Sequence, residues 1–350
     1  MDLNTMFNIP LDSRSRLRKE LPAQVYIEVT NYCNSLCVSC PLTYNHFLPY
    51  EPKHHLGWEK FRQIVDQFPR LERVVLHGIG EPLLNKELPR FVSHLKDRGA
   101  KVLFNTNAIL LDQKRGDALV DAGLDELRVS LDAVHPDLYA QLRGVDLLPK
   151  VIQNLKSFVK RHGGRDQPRV SLWWVAMQAN LQQLLDFVRL AAQIGIVEVY
   201  LQRLVYFGGG EELADDTTMK AEQSIYAALE DQQAKMINEC EDLAEELGLE
   251  FRASGATTPF ESVLEKGPHP WKGCVRPWML MYITANGTAL PCCVSPFATQ
   301  DYDQIILGNV LEHSVVDVWN SEKYQELRQA VLSNAPEPWP CQHCGVKWSL

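Results

Sequence analysis

Between Val25 and about Gly210 the chain alternates two apolar patterns. Short, β-prone apolar runs are separated by longer stretches with helical periodicity. Val25–Thr30, Arg73–His77, Lys101–Asn105, Glu126–Leu131, Arg169–Met177 and Val197–Gln202 read as strands. The helical stretches have legible ends. Asp112 is placed to cap a helix that stops at Gly123, and Asn180 one that stops at Gly195. Six βα repeats predict an α/β fold with a parallel sheet and helices outside it. Such folds place their chemistry at the C-terminal ends of the strands.

The pattern breaks at Gly208–Gly210, and an acidic stretch runs to Asp216. A long amphipathic helix is expected from about Thr218 to Leu247, holding Ile225, Ala228, Leu229, Met236, Ile237, Leu243 and Leu247. Beyond Phe251 tryptophan, proline and cysteine become frequent, as in Trp271, Cys274, Pro277, Trp278, Pro291, Cys292 and Cys293. The expected units are an arm over 1–22, an α/β unit over 23–250 and a second unit over 251–350. The arm, with its basic cluster from Arg14 to Lys19, reads as a solvated segment or short leading helix, or as a cap on the barrel end.

Charge and cysteine content narrow the function. The net charge of −9 over 350 residues argues against binding nucleic acid through a basic surface. No apolar run reaches membrane-span length, and Met1-Asp-Leu-Asn-Thr does not read as a signal peptide. A cytoplasmic protein is expected, without membrane or nucleic-acid partners. Its nine cysteines are then better read as metal ligands or catalytic groups than as disulfides.

Three of them carry the strongest signal. Cys33, Cys37 and Cys40 form CxxxCxxC directly after the first strand. Three thiolates can hold three irons of a cubane cluster and leave the fourth open to a small molecule. Zinc sites more often use CxxC pairs in closed tetrahedra. After the second strand comes His77-Gly-Ile-Gly80-Glu81-Pro82, a turn through which backbone can approach a ligand. Polar residues end the third and fourth strands: Asn105-Thr-Asn107, and Ser130 with Asp132.

In this order the motifs resemble the radical S-adenosylmethionine (SAM) superfamily. The resemblance implies a partial (β/α)6 TIM-like barrel with a 4Fe–4S cluster on Cys33, Cys37 and Cys40. It implies SAM contacts from the turn Gly78, Gly80, Glu81 and Pro82, whose backbone receives the SAM amino group. Ile79 stands where the family usually has glycine, which a backbone contact tolerates. Ser130 and Arg143 would hold the carboxylate and ribose, Arg143 through its planar fork. Asn105 and Gln202 are further candidates on the SAM or substrate side.

The remaining cysteines resemble a shortened SPASM, or twitch, domain. Cys274, Cys292, Cys341 and Cys344 would hold one auxiliary 4Fe–4S cluster around a hairpin that turns at Asn286-Gly287. Cys292 fits the family spacing after Gly287, with Cys293 as the other candidate. A zinc ribbon-like site is the alternative. Cys240 and His343 read as incidental to the site.

The resemblance implies reductive cleavage of SAM to a 5′-deoxyadenosyl radical, with electrons from a donor such as flavodoxin or ferredoxin. The radical would take hydrogen from a substrate in the barrel. The first reading of that substrate is a small polar metabolite (a sugar, aminocyclitol or nucleoside-derived acid), undergoing oxidation, epimerisation or decarboxylation. Asp132, Glu198, Arg203 and Tyr206 are candidates for the base. Maturation of a ribosomal peptide is the second reading, lowered because few residues precede the first strand. A non-catalytic iron–sulfur or zinc protein is the third. Trp173, Trp174 and Met177 could line the pocket, but Trp173 and Trp174 must face opposite sides of their strand.

Overall fold

All six expected strands form: β1 (Gln24–Ile27), β2 (Arg73–Val75), β3 (Lys101–Thr106), β4 (Glu126–Ser130), β5 (Arg169–Ala176) and β6 (Glu198–Arg203). They lie side by side in chain order and pair in parallel. The computed structural model describes residues 15–44, 47–163, 168–206, 219–225, 231–253, 274–298, 301–333, 341 and 344. The longer helices between the strands are α1 (Trp58–Val65), α2 (Leu88–Asp97), α3 (Gln113–Asp121), α4 (Pro136–Arg143), α5 (Leu148–His162) and α6 (Leu184–Ile194).

Alternation along the strands separates two faces. Val25, Val74, Val102, Leu127, Leu172 and Leu201 are fully buried. They share one core with helix stripes such as Phe61, Ile64 and Val65 on α1 and Val151, Leu155 and Phe158 on α5. Burial of each such side chain stabilises by about 1.5–3 kcal/mol. The opposite face carries Tyr26, Asn105, Arg128, Ser130, Trp173, Tyr200 and Gln202, aligned by strand register. Trp174 packs in the core beside Phe187, whereas Trp173 stacks on Tyr200 at 3.9 Å on the lumen side. Met177 is buried in the core.

The sheet is longer than expected. A seventh parallel strand, β7 (Glu250–Ala253), follows α7 (Asp231–Glu246) and pairs with β6. The expected boundary between 250 and 251 therefore cuts through a barrel strand. On the other edge, β8 (Leu280–Ile283) pairs in parallel with β1, then antiparallel with β9 (Thr288–Leu290), and β10 (Gly308–Asn309) follows. The C-terminal hairpin thus extends the barrel sheet, and all ten strands form one sheet. Its turn is Thr284–Gly287, closed by Gly287 N donating to Thr284 O, so it centres on Ala285-Asn286, one residue earlier than the sequence predicts, with Gly287 left-handed at φ +86°.

Three local expectations need correction. The described part of the long helix is Asp231–Glu246, and it does not reach back to Thr218 without a break: Ala221–Gln223 is a 3-10 turn and Ser224 bridges to Met177. Ala228 and Leu229 lie outside the described residues. Asn180 does not cap α6. Its side chain accepts from Met177 N and donates to the carbonyls of Asp132 and Val175, so it ties the ends of β4 and β5. The described part of the N-terminal arm is exposed at most positions, yet it is tethered. It lies along α8 (Val315–Trp319) and α9 (Glu322–Leu332), where Trp319 Nε1 donates to Glu20 O and Arg328 Nη1 to Arg16 O.

Asn85, just after the glycine-rich turn, binds two strands of backbone to it. Its buried amide donates to Val29 O at 2.8 Å and Leu56 O at 2.9 Å. Asn85→Ala orphans both carbonyls, so it should cost about 2–3 kcal/mol, read as a lower urea midpoint under anaerobic conditions. An unchanged midpoint would contradict this role.

Candidate active site

The first cysteine loop is held from below by α4. Leu36 N and Val38 N donate to the carbonyls of Arg143 and Leu142, the last residues of that helix. Gly144 then turns left-handed at φ +67°, and a Cβ there would lie 2.4 Å from Leu36 O. Only glycine satisfies both conditions. Asn107 braces the loop from β3, donating to Asn34 Oδ1 at 2.7 Å and Ser35 Oγ at 3.2 Å, with Cys33 Sγ 4.0 Å away. The Asn105-Thr-Asn107 cluster flagged this region, but the bracing residue is Asn107.

The glycine-rich turn packs directly beneath the loop. A Cβ on Gly80 would meet Thr30 O at 2.1 Å and Tyr32 O at 2.7 Å. Glu81 N donates to Tyr32 O, and Cys40 Sγ approaches Ile79 O at 3.8 Å. The Glu81 carboxylate is fully occupied away from the lumen. It accepts from Thr106 Oγ1, Asn107 N and Leu83 N. The Glu81 side chain thus builds the turn and ties β2 to β3, leaving any SAM contact to the turn's backbone.

Arg143 is buried beside the thiols. Nη1 donates to Asp132 at 2.9 Å and Nη2 to Ser130 O at 2.7 Å. Both arms of the fork are therefore engaged within the protein, and Nε is the buried atom left without a partner among the described residues. These two contacts use two of the guanidinium's five N–H donors. Burial works against the Arg143 charge, but Cys37 and Asp132 outweigh it and raise its pKa. Burial pushes the Cys33 thiol up to about 11 and raises Cys37 and Cys40 as well. Thiols held this way lose their protons when a cation takes its place.

The second cysteine group surrounds another buried guanidinium, Arg276. Burial opposes its charge, and the neighbouring Cys293, Cys274, Cys292 and Cys344 restore it. Cys292, raised to about 12 by burial, feels Cys293, Cys274 and Cys344, and Cys341 feels Cys292, Cys274 and Cys344. Cys274, Cys292, Cys293, Cys341 and Cys344 thus lie in one neighbourhood around Arg276. Cys293 also packs against the apolar cluster of Tyr282, Leu290 and Ile79, as do Cys33 and Cys40. Arg276 escaped the sequence reading, although its place two residues after Cys274 marks it. Among the described residues no three His, Cys, Asp or Glu side chains are arranged to share a single ion. Thiolates that each bind a different iron of a cluster need no such convergence.

Residues 27–172 match the model of the radical SAM superfamily, and residues 274–345 match SPASM, the iron–sulfur cluster-binding domain.

This chain belongs to the radical SAM superfamily and carries a C-terminal SPASM domain.

It is a radical SAM enzyme, with a SAM-binding 4Fe–4S cluster, SAM and an auxiliary iron–sulfur cluster as cofactors. It is 34% identical over 134 residues to a probable GTP 3′,8-cyclase of Sulfolobus acidocaldarius, a match spanning 38% of this chain and 41% of that protein. It is 23% identical over 329 residues to the PqqA peptide cyclase of Granulibacter bethesdensis, spanning 93% of this chain and 80% of that protein. Its fold resembles that of Streptococcus suis SuiB bound to the precursor peptide SuiA, with TM-score 0.65, 19% identity, and coverage of 93% and 70% of the two chains. Among the described residues no helix is long and apolar enough to cross a membrane.

The chain's own residues fit the radical SAM cofactors. All nine cysteines are free, and each cysteine group has a buried guanidinium beside it. Asn105, Ser130 and Gln202 share the lumen face at the strand ends near the loop. The base candidates fare differently. Asp132 is buried and engaged by Arg143 and by Val175 N, so it holds Arg143 in place. Glu198 opens β6 at the end far from the loop, paired with Arg169 and Arg252. It does not face the barrel mouth. Arg203 alternates to the face opposite Gln202. Tyr206 lies near Cys344, where burial and that thiol raise its pKa. His77, to which the sequence reading gave no role, lies at the start of the glycine-rich turn. Burial first and Arg128 second push its pKa down to about 4, and Nδ1 has no partner among the described residues.

Gly80→Ala drives a methyl group into the Thr30 carbonyl. The expected outcome is at least tenfold weaker SAM binding with auxiliary-cluster iron retained, measured by equilibrium binding and iron analysis on reconstituted protein. Wild-type SAM affinity in this variant would contradict the turn's role.

Proposed function

We propose that this enzyme matures a peptide, abstracting hydrogen from a residue held in the barrel lumen and leading to oxidation, crosslinking or epimerisation. The observation that carries the reading is similarity to a peptide cyclase along 93% of the chain, barrel and cysteine-rich region alike. Similarity to the GTP cyclase spans 38% of the chain. That shorter match, at the higher identity, supports the second reading, a small polar metabolite.

When bound, the cluster on Cys33, Cys37 and Cys40 and its SAM supply a 5′-deoxyadenosyl radical. The protein supplies position and shelter from water. The turn at Gly78–Pro82 offers its carbonyls to the SAM amino group, and Arg143 Nε is free for one further contact. Below them, Arg128 lies 4.5 Å over Trp173, which stacks on Tyr200. This floor gives a substrate side chain an apolar and cationic surface to rest on. Cys274, Cys292, Cys341 and Cys344 would hold one auxiliary cluster, and Arg276 beside them favours its more negative, reduced form. A soluble reductant such as flavodoxin or ferredoxin would supply electrons.

Extract from cells of the source organism grown in deuterated medium distinguishes the readings. After separation into peptide and small-metabolite fractions, each is incubated anaerobically with the reconstituted enzyme, dithionite and unlabelled SAM. Deuterium in 5′-deoxyadenosine from the peptide fraction supports peptide maturation. Deuterium from the metabolite fraction alone overturns it in favour of the second reading.

A further inference from the structure

Glu28 is the buried carboxyl that the site described so far does not use. It follows β1 and points between the two parts of the sheet. Oε2 accepts from Ile79 N at 2.9 Å, in the glycine-rich turn, and from Tyr282 Oη at 3.3 Å, on β8. Oε1 accepts from Ala285 N at 3.3 Å, in the hairpin that leads to Cys292. Glu28 N itself donates to Ile283 O at 2.8 Å. The carboxylate therefore joins three segments: the end of β1, the SAM turn and the SPASM hairpin.

The turn is shaped around this side chain. A Cβ on Gly78 would lie 2.2 Å from Glu28 Oε2 and 2.3 Å from its Cγ, so residue 78 must be glycine for Glu28 to lie across it. Ile79 is held at both ends, its N–H by Glu28 and its carbonyl facing Cys40 Sγ at 3.8 Å. Fixing the N–H sets the direction of the neighbouring carbonyls. Tyr282, at the other end of the link, belongs to the apolar cluster against which Cys33, Cys40 and Cys293 all pack. Its ring stacks on Tyr26 at 6.4 Å.

We propose that Glu28 is a positioning residue that sets the carbonyls of the SAM turn and couples them to the SPASM hairpin through Tyr282 and Ala285. SAM affinity then depends on a side chain that touches neither SAM nor iron. The inference rests on the assignment of the 78–82 turn to SAM, and the Gly80→Ala variant tests that assignment separately.

The test uses full-length protein, reconstituted anaerobically, as Glu28→Gln and Tyr282→Phe. Iron and sulfide content reports loading, equilibrium dialysis reports SAM affinity, and SAM cleavage with dithionite separates KM from kcat. An amide can accept through one oxygen only, so Glu28→Gln leaves Ile79 N or Ala285 N unpaired. The expected result is unchanged iron, SAM affinity lower by about tenfold, KM for SAM raised in step and kcat within about twofold. Tyr282→Phe removes a single donor and should lower SAM affinity by about threefold at full iron content. Wild-type SAM affinity in an iron-loaded Glu28→Gln protein overturns the proposal. If Glu28→Gln does not load, wild-type affinity in Tyr282→Phe overturns it.

Discussion

The site depends on buried carboxylates that hold the C-terminal strand ends together. Glu28 after β1, Glu81 after β2 and Asp132 after β4 are each nearly inaccessible to solvent. Each accepts a backbone N–H from a neighbouring segment: Ile79, Asn107 and Val175 respectively. Burying a carboxylate is costly unless hydrogen bonds satisfy it. Its geometry is then fixed, because any displacement leaves a charge or a polar group without a partner. Burial pushes the Glu28 carboxyl up to about 7, even with its hydrogen bonds opposing the shift.

These links let loops do what loops alone do poorly. The cysteine loop has no regular structure of its own, yet it is tied to α4 by two backbone hydrogen bonds and to β3 by Asn107. The glycine-rich turn is tied to β1 by Glu28 and to β3 by Glu81. The SPASM hairpin joins the same sheet beside β1, so both cysteine groups border one apolar cluster built on Tyr282. A guanidinium buried beside each group supplies charge that suits an anionic cluster.

Much of this was legible in the sequence. Strand positions followed from apolar runs, and the order of CxxxCxxC, GIGEP and the polar strand ends carried the family. What escaped shares a physical cause: it depends on long-range pairing. The strand Glu250–Ala253 is short and bears two charged residues, so only its pairing with β6 identifies it. Asn180 has the chemistry of a helix cap, but tertiary hydrogen bonds to β4 and β5 claim its amide. Glu198 and Asp132 look like free carboxylates until Arg169, Arg252 and Arg143 are placed beside them. Glu28 sits five residues before Cys33 and gives no local sign that its partners lie near residues 79 and 285.

The central claim is that one chain carries two separately held iron–sulfur clusters and that the first alone cleaves SAM. Iron and sulfide counts on anaerobically reconstituted wild type and on a Cys33/Cys37/Cys40→Ala variant test it most directly, together with 5′-deoxyadenosine formation under dithionite. The account predicts about eight irons falling to about four, with nucleoside formed by wild type only. An unchanged iron count in the variant, or nucleoside formation by it, would contradict the account.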